Sequence, residues 1–228
     1  MLAAIPAGAV RRVIVVDNGS TDRTLDAAAP FRFVEIVHEP RRGYGSACLA
    51  GLTHLRRTGP PEVLVFLDGD FSDHPEELPS LLGPIERGEA DFVLGSRALG
   101  TSERGALMPQ ARYGNAFATW LIARLTGFRY TDLGPFRAIR WDALESLGMV
   151  DRDFGWTCEM QVKAVRAGLR ICELPVSYRR RVGVSKIAGT FTGTVRAGVK
   201  ILWWVVRAAR ESAARASARP RSASGNAA

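Results

Sequence analysis

Val63-Leu64-Val65-Phe66-Leu67-Asp68-Gly69-Asp70 decides how this chain is read. Its first five residues are apolar, partly β-branched and preceded by Pro60-Pro61, a pattern that predicts a short buried strand. Two carboxylates then emerge where the strand ends. In open α/β sheets ligands bind beyond the carboxyl ends of the strands, and paired hard oxygen donors there suit Mg²⁺ or Mn²⁺ on a diphosphate. Asp-Gly-Asp also makes an ordinary strand-ending turn, so the flanking segments must choose between the two readings.

Working outward, Val13-Ile14-Val15-Val16 predicts another strand, ending in the polar cluster Asp17-Asn18-Gly19-Ser20-Thr21-Asp22 before a helix over Arg23–Ala29. Further strands are expected at Phe33–Val37 and Asp91–Gly95, with helices at Gly45–Arg57 and Pro75–Arg87. This alternation predicts an α/β fold, a mostly parallel sheet flanked by helices. Asp17-Asn18, Asp68-Gly69-Asp70 and Ser96-Arg97 then line one edge of that sheet. Beyond Arg97 the pattern changes to a loop over 98–111, a helix at Tyr113–Leu125, a short strand at Phe136–Ile139 and a helix at Gly155–Ala167. A strand at Leu169–Tyr178, interrupted by Pro175, and a helix at Thr190–Ala209 follow. The stretch 211–228, rich in Ala, Arg and Ser, reads as a disordered tail.

The 228 residues, 46% hydrophobic, suffice for one substantial core. Cys48, Cys158 and Cys172 lie far apart without metal-ligand spacing, so neither a disulfide framework nor a zinc site is indicated, which fits a reducing compartment. Neither a signal peptide nor a run near the ~20 apolar residues of a membrane span is readable, so a cytoplasmic protein is expected. The net charge of +8 is unevenly placed: residues 1–175 hold 20 Lys and Arg against 22 Asp and Glu, residues 176–228 hold 11 against 1. A near-neutral body with a basic end points to an anionic surface.

These residues resemble the family 2 glycosyltransferases of GT-A fold, most closely the branch of dolichol-phosphate mannose and glucose synthases. The resemblance is carried by Val13–Asp22, Arg42-Gly43-Tyr44-Gly45, Phe66–Ser72, Gly95-Ser96-Arg97, Thr131–Arg137 and Gly155–Met160, in family order. It implies a Rossmann-like sheet in one domain over residues 1–210. Within it, 1–97 is the nucleotide-sugar half, 98–189 the acceptor half and 190–210 an amphipathic helix. It implies nucleotide binding by Asp17, Arg42, Gly43 and Asp68, and a divalent ion, Mg²⁺ or Mn²⁺, at Asp68 and Asp70. An Asp acceptor suits the N–H donors of uracil or guanine, so a UDP- or GDP-sugar is the expected donor. Family members also begin with a strand followed by an Asn-Glu-Glu turn. This chain starts after that segment, with Met1–Ile5 as the end of the next helix, so the usual N-terminal strand is expected to be lacking.

A hydroxyl acceptor benefits from a general base, whereas a phosphate monoester is already anionic and needs cationic positioning. Arg97, Arg137 and the Arg179-Arg180-Arg181 run, Arg180 above all, with Lys186 are candidates to clamp an acceptor phosphate, since guanidinium groups bind phosphate oxygens bidentately. Arg97 and Arg137 lie in the family motifs and join Asp70 as candidate catalytic residues, and Asp132 is a further acceptor-site candidate. Glu159 is the candidate base, with pairing to Lys163 at i+4 as the plainer alternative. In the last helix Val195, Val199, Leu202, Val205 and Val206 share a face opposite Arg196, Lys200 and Arg207, with Trp203 and Trp204 at its borders. That helix either lies on an anionic membrane or docks on the domain. Nucleic acid is not expected, because no recognition motif is readable. The leading expectation is an inverting transferase moving a sugar to a polyprenyl phosphate, peripheral on the inner face of the cell membrane. Transfer to a glycan or small-molecule hydroxyl, a nucleotidyltransferase and a non-catalytic relative are the alternatives.

Overall fold

The computed structural model describes residues 1–182; Lys186, the expected helix at 190–210 and the tail at 211–228 lie outside the described residues. A 3-10 turn at Leu2–Ala4 stands where a helix end is expected. It is followed by β1 (Val13–Asp17), α1 (Thr24–Ala28), β2 (Val34–His38), α2 (Tyr44–Thr58) and β3 (Val63–Phe66). A 3-10 turn at Pro75–Glu77 leads into α3 (Leu78–Glu86), then β4 (Phe92–Ser96), α4 (Pro109–Thr126), β5 (Arg137–Arg140), α5 (Trp141–Leu147), α6 (Trp156–Arg166) and β6 (Ile171–Pro175). Two elements differ from expectation. Helix α4 begins at Pro109, because proline at the first turn fits a helix start that a loop reading overlooks. Helix α5 was not anticipated; it follows β5 directly, with no turn residues between them to mark its start.

The sheet alternates strictly between two cores. Leu64, Phe66, Phe92, Leu94 and Ile139 face a cluster built with α2, α4, α5 and α6. Val63, Val65, Val93 and Ala138 face a second cluster with Leu78, Leu81 and Ile85 of α3. That period of two is the strand signature read from the sequence, and it makes three layers, helix, sheet and helix. β4 is buried along its whole length. At ~1.5–3 kcal/mol for each large apolar side chain removed from water, this central strand anchors the fold.

The strands form two sheets. β1 pairs in parallel with β2, from Val13 opposite Val34 to Asp17 opposite His38. The other sheet has the order β3-β5-β4-β6, with β5 antiparallel to both neighbours and β4 parallel to β6. β1 and β3 therefore each have one hydrogen-bonded neighbour among the described residues, and their apolar residues are only half-buried. Helix α2 spans the two sheets, packing on β1 and β2 while supplying Cys48, Leu49 and Leu52 to the core that β3 joins.

The start of α2 is fixed by the segment before α6. Gly45 N–H donates to the Asp153 carbonyl at 3.3 Å, and Ser46 donates to the Arg152 carbonyl through N–H at 2.9 Å and Oγ at 3.0 Å. Carbonyls from a distant loop thus satisfy amides that open every helix. The glycines permit the approach: a Cβ on Gly43 would lie 2.2 Å from the Arg152 oxygen, and one on Gly45 2.1 Å from the Asp151 oxygen. Gly45→Ala is therefore expected to cost about 1–3 kcal/mol of stability by forcing these backbones apart, read as a lower urea midpoint.

Candidate functional site

The Asp68–Asp73 turn is built under strain and held from outside. Phe71 adopts φ 60°, a left-handed conformation uncommon for a bulky side chain. The chain after β6 clamps it: Arg179 N–H donates to the Ser72 carbonyl at 2.9 Å, Val182 N–H to the Asp70 carbonyl at 2.8 Å, and the Arg179 guanidinium lies 4.0 Å from the Phe71 ring centre. Asp70 Oδ1 accepts the Ser72 N–H at 3.0 Å, and Asp70 Oδ2 stands 3.4 Å from Arg181. Of the expected arginine run, Arg181 is thus the member that reaches the carboxylates. Arg180 turns away, its guanidinium donating to the Arg104 carbonyl and its N–H to Glu103.

Three carboxylates share this region. Burial, then the neighbouring charge of Asp70, pushes the Asp68 carboxyl up to about 6, against the pull of Arg97, Arg181 and Arg137. Burial followed by the charge of Asp68 pushes Asp73 up to about 7. Asp73 is 1% exposed and, among the described residues, neither of its carboxylate oxygens has a hydrogen-bond partner. A buried carboxylate left so is costly. Sequence reasoning passed over Asp73, although a third Asp three residues after Asp70 was a visible signal. Tyr44 and Cys48 both experience the charge of Asp68, which puts the first turn of α2 beside it.

Across the sheet edge, Arg97 and Asp132 form a fork. Asp132 Oδ2 accepts Arg97 N–H and Nε–H, and Oδ1 accepts Nη2–H, each at 2.8 Å. The pair is nearly buried, and the guanidinium also lies 5.0 Å from the Tyr178 ring centre. The 131–133 loop is fixed in turn. Glu173 of β6 accepts from Thr131 N–H, Thr131 Oγ1 and Asp132 N–H, Asn115 of α4 accepts from Leu133 N–H, and Gln161 of α6 donates to the Asp132 carbonyl. Arg97 and Asp132 form one wall of a cleft of about 1130 Å³ running under α4, whose lining includes Arg112, Arg124, Arg129 and Trp120. Among the described residues Asp132 is the single carboxylate in that lining, and its oxygens are taken by Arg97 and by the Leu133 N–H.

At the end of the β1–β2 pair Asp17 Oδ1 accepts the Ser20 N–H at 2.9 Å, a bond that holds its carboxyl below the usual range, with His38 3.3 Å from Oδ2. Asn18 staples the next turn, donating to the Glu39 and Arg41 carbonyls and accepting from Gly43 N–H at 2.8 Å. Gly43 therefore spends its amide on Asn18, while the Arg42 Nε lies 3.6 Å from where a side chain on Gly19 would begin. Arg42 thus lies beside the turn that follows Asp17. Neither bonds to the Asp68–Asp73 turn among the described residues.

Arg137 and Glu159 occupy structural positions. Arg137 is 1% exposed and donates to the carbonyls of Leu133, Gly134 and Thr157. Its charge reaches the site through the protein rather than by contact with solvent. Glu159 is completely buried, accepts Val150 N–H at 2.9 Å and Asp151 N–H at 2.7 Å, and pairs with Lys163 at 2.7 Å. Its lone pairs are committed to the turn that feeds the start of α2.

The donor set fits a hard divalent cation that a diphosphate also ligates. Asp68 and Asp70 crowd negative charge at a strand end, and the unpartnered Asp73 adds to it. No group of three or more His, Cys, Asp or Glu among the described residues forms a complete protein cage, so phosphate oxygens or water would complete the shell.

The family model described as glycosyl transferase family 2 matches residues 7–148. An uncharacterized glycosyltransferase of Mycobacterium tuberculosis is 39% identical, over 90% of this chain and 90% of that protein. An undecaprenyl-phosphate mannosyltransferase of Micrococcus luteus is 33% identical over 86% of each. Among solved structures, glucosyl-3-phosphoglycerate synthase from Mycobacterium tuberculosis, in complex with Mn²⁺, UDP-glucose and phosphoglyceric acid, superposes with a TM-score of 0.71. It is 21% identical and is matched over 92% of this chain and 73% of its own. That likeness establishes the GT-A-type fold.

Asp73 supplies a test of the site's electrostatics. Its carboxyl ionises near 7 in the fold against ~3.9 in an unfolded chain, so the unfolded state holds fewer protons between those values and stability falls as pH rises across them. Asp73→Asn is expected to raise the thermal midpoint of the metal-free protein at pH 8 and to leave it unchanged at pH 4, measured by circular dichroism.

Proposed function

The chain belongs to glycosyl transferase family 2, in its dolichol-phosphate mannose synthase-like branch, and from that premise we propose that it transfers a sugar from a nucleoside-diphosphate donor to a polyprenyl phosphate. The observation that carries the acceptor class is the cleft under α4. It is lined by four arginines, Arg97 among them, and its one carboxylate is spent on holding Arg97. A hydroxyl acceptor would look to that cleft for a base. A phosphate monoester arrives already anionic and asks for cations.

In this reading Asp17, Arg42 and the Gly43 turn receive the nucleoside, and Asp68 and Asp70 face the diphosphate through Mg²⁺ or Mn²⁺. The ion, when bound, neutralises charge on the departing nucleoside diphosphate. Arg97 orients the acceptor phosphate. One of its oxygens forms the new bond to the anomeric carbon from the side opposite the diphosphate, whose oxygen leaves with the electrons of the broken bond. Neither oxygen needs to lose a proton first. Arg137, buried in the core, offsets the charge of Asp68 without touching either substrate. The relatives named for polyprenyl acceptors support the lipid, and the Mn²⁺ in the solved neighbour supports the ion.

The purified full chain, incubated with labelled nucleotide sugars, Mn²⁺ and polyprenyl phosphate, is expected to carry label into the organic phase. Arg97→Ala should lower kcat/KM by about 10²–10³-fold, the usual loss when a preorganised cationic donor is removed, and Asp70→Asn should abolish transfer. Label that stays water-soluble, or that appears on phosphoglycerate or a sugar hydroxyl, rejects the acceptor assignment.

A further inference from the structure

Among the described residues no strand hydrogen bond joins the β1–β2 pair to the four-stranded sheet. The backbone–backbone hydrogen bonds that tie residues 13–58 to residues 63–182 are those of Gly45 and Ser46 with the Asp153 and Arg152 carbonyls. The turn that offers those carbonyls is organised by a buried carboxylate. Glu159 of α6, completely buried, accepts the consecutive Val150 and Asp151 N–H groups at 2.9 and 2.7 Å. Asp151 Oδ1 then accepts the Asp153 N–H at 2.7 Å and the Gly155 N–H at 3.1 Å. With these amides drawn to two carboxylates, the turn presents the Arg152 and Asp153 carbonyls to the start of α2. Successive backbone amides make an anion site, and here the chain fills it with its own side chain. A buried carboxylate is costly to keep, and Glu159 has Lys163 at 2.7 Å as its counter-charge.

We propose that Glu159 is a positioning residue for the sugar donor, acting through the 150–153 turn on the start of α2 and never touching the substrate. Gly43 stands just before α2 and donates its N–H to Asn18, the residue after Asp17, while the charge of Asp68 reaches Tyr44 in the first turn of the helix. A shift of the 150–153 turn therefore moves the nucleoside end, Asp17, Asn18 and Arg42, against the Asp68–Asp70 end. A donor that spans the two ends needs them at a fixed separation. This is a different role from that of a base. The Glu159 oxygens are bonded to two amides and an ammonium group, and the residue is absent from the lining of the acceptor cleft. The positioning role rests on the nucleotide-sugar donor of the proposed function and deepens it, since it makes α6 a determinant of donor affinity.

The test is calorimetric binding of UDP and of GDP to the full chain, each with Mn²⁺ and without acceptor, so that donor positioning is read apart from transfer. Glu159→Gln keeps the size of the side chain but turns an NH₂ group toward one of the two amides. It should weaken the affinity for whichever nucleotide wild type binds by roughly tenfold or more. In the transfer reaction its donor KM should rise to match, with kcat and the KM for polyprenyl phosphate within about threefold of wild type. Ser46→Ala removes the Oγ bond to the Arg152 carbonyl without altering α6, and should shift nucleotide affinity in the same direction by a smaller factor. That variant decides the matter if Glu159→Gln does not fold. Unchanged nucleotide affinity in a folded Glu159→Gln protein overturns the positioning role, as does a fall in kcat of about 10²-fold or more at unchanged donor KM, the pattern of a lost base. So does equal weakening toward donor and acceptor, the pattern of general loosening. A wild type that binds nucleotide but leaves polyprenyl phosphate unlabelled rejects the proposed reaction, and the binding comparison still decides the role of Glu159. Failure of wild type to bind either nucleotide overturns both.

Discussion

The Arg97–Asp132 fork is the constraint on which the site depends. A guanidinium at the end of β4 is free to sweep a wide volume, and three 2.8 Å bonds to one carboxylate remove that freedom. The pair is nearly buried, so removing either partner strands a charge at a cost of about 3–5 kcal/mol. Its value therefore lies in position rather than in stability. Everything beneath it serves that position. Glu173 binds the backbone of residues 131 and 132, Asn115 and Gln161 fix the same loop from α4 and α6, and Ser96 meets Thr131 at 2.7 Å. Four separate elements thus converge on where one arginine points.

The carboxylate turn on the adjoining strand end follows the opposite logic. Asp68, Asp70 and Asp73 are held together although the charge of Asp70 disfavours ionisation of Asp68 and both disfavour that of Asp73, and the strained Phe71 is kept in place by the 178–182 chain. Positive charge reaches them from Arg97, Arg181 and the buried Arg137, while Asp73 keeps no hydrogen-bond partner among the described residues. An unfinished electrostatic arrangement of this kind holds a protein ready for a cation and an anionic ligand.

The strand ends were legible because their signal is local: an apolar period of two, then turn residues. Asp17, Asp68, Asp70 and Arg97 could all be named that way. What joins them could not. Glu173 lies 42 residues from Thr131, and Asp151 and Arg152 lie about a hundred residues from the glycines they abut, so no window on the sequence pairs them. Glu159 illustrates the limit. Its i+4 partner Lys163 was readable from spacing, whereas its complete burial and the amides of Val150 and Asp151 depend on tertiary packing.

The divided sheet has a dynamic meaning. β1, α1, β2 and α2 are consecutive in the chain, and among the described residues the strand hydrogen bonds of β1 and β2 are to each other. Fewer strand hydrogen bonds favour sub-global opening of such a block at a lower free energy than β4, which is fully buried and paired on both sides. The Asp17–Arg42 end and the Asp68–Arg97 end lie on the two sheets, which α2 joins. A ligand reaching both ends would couple the two units by more than α2 alone.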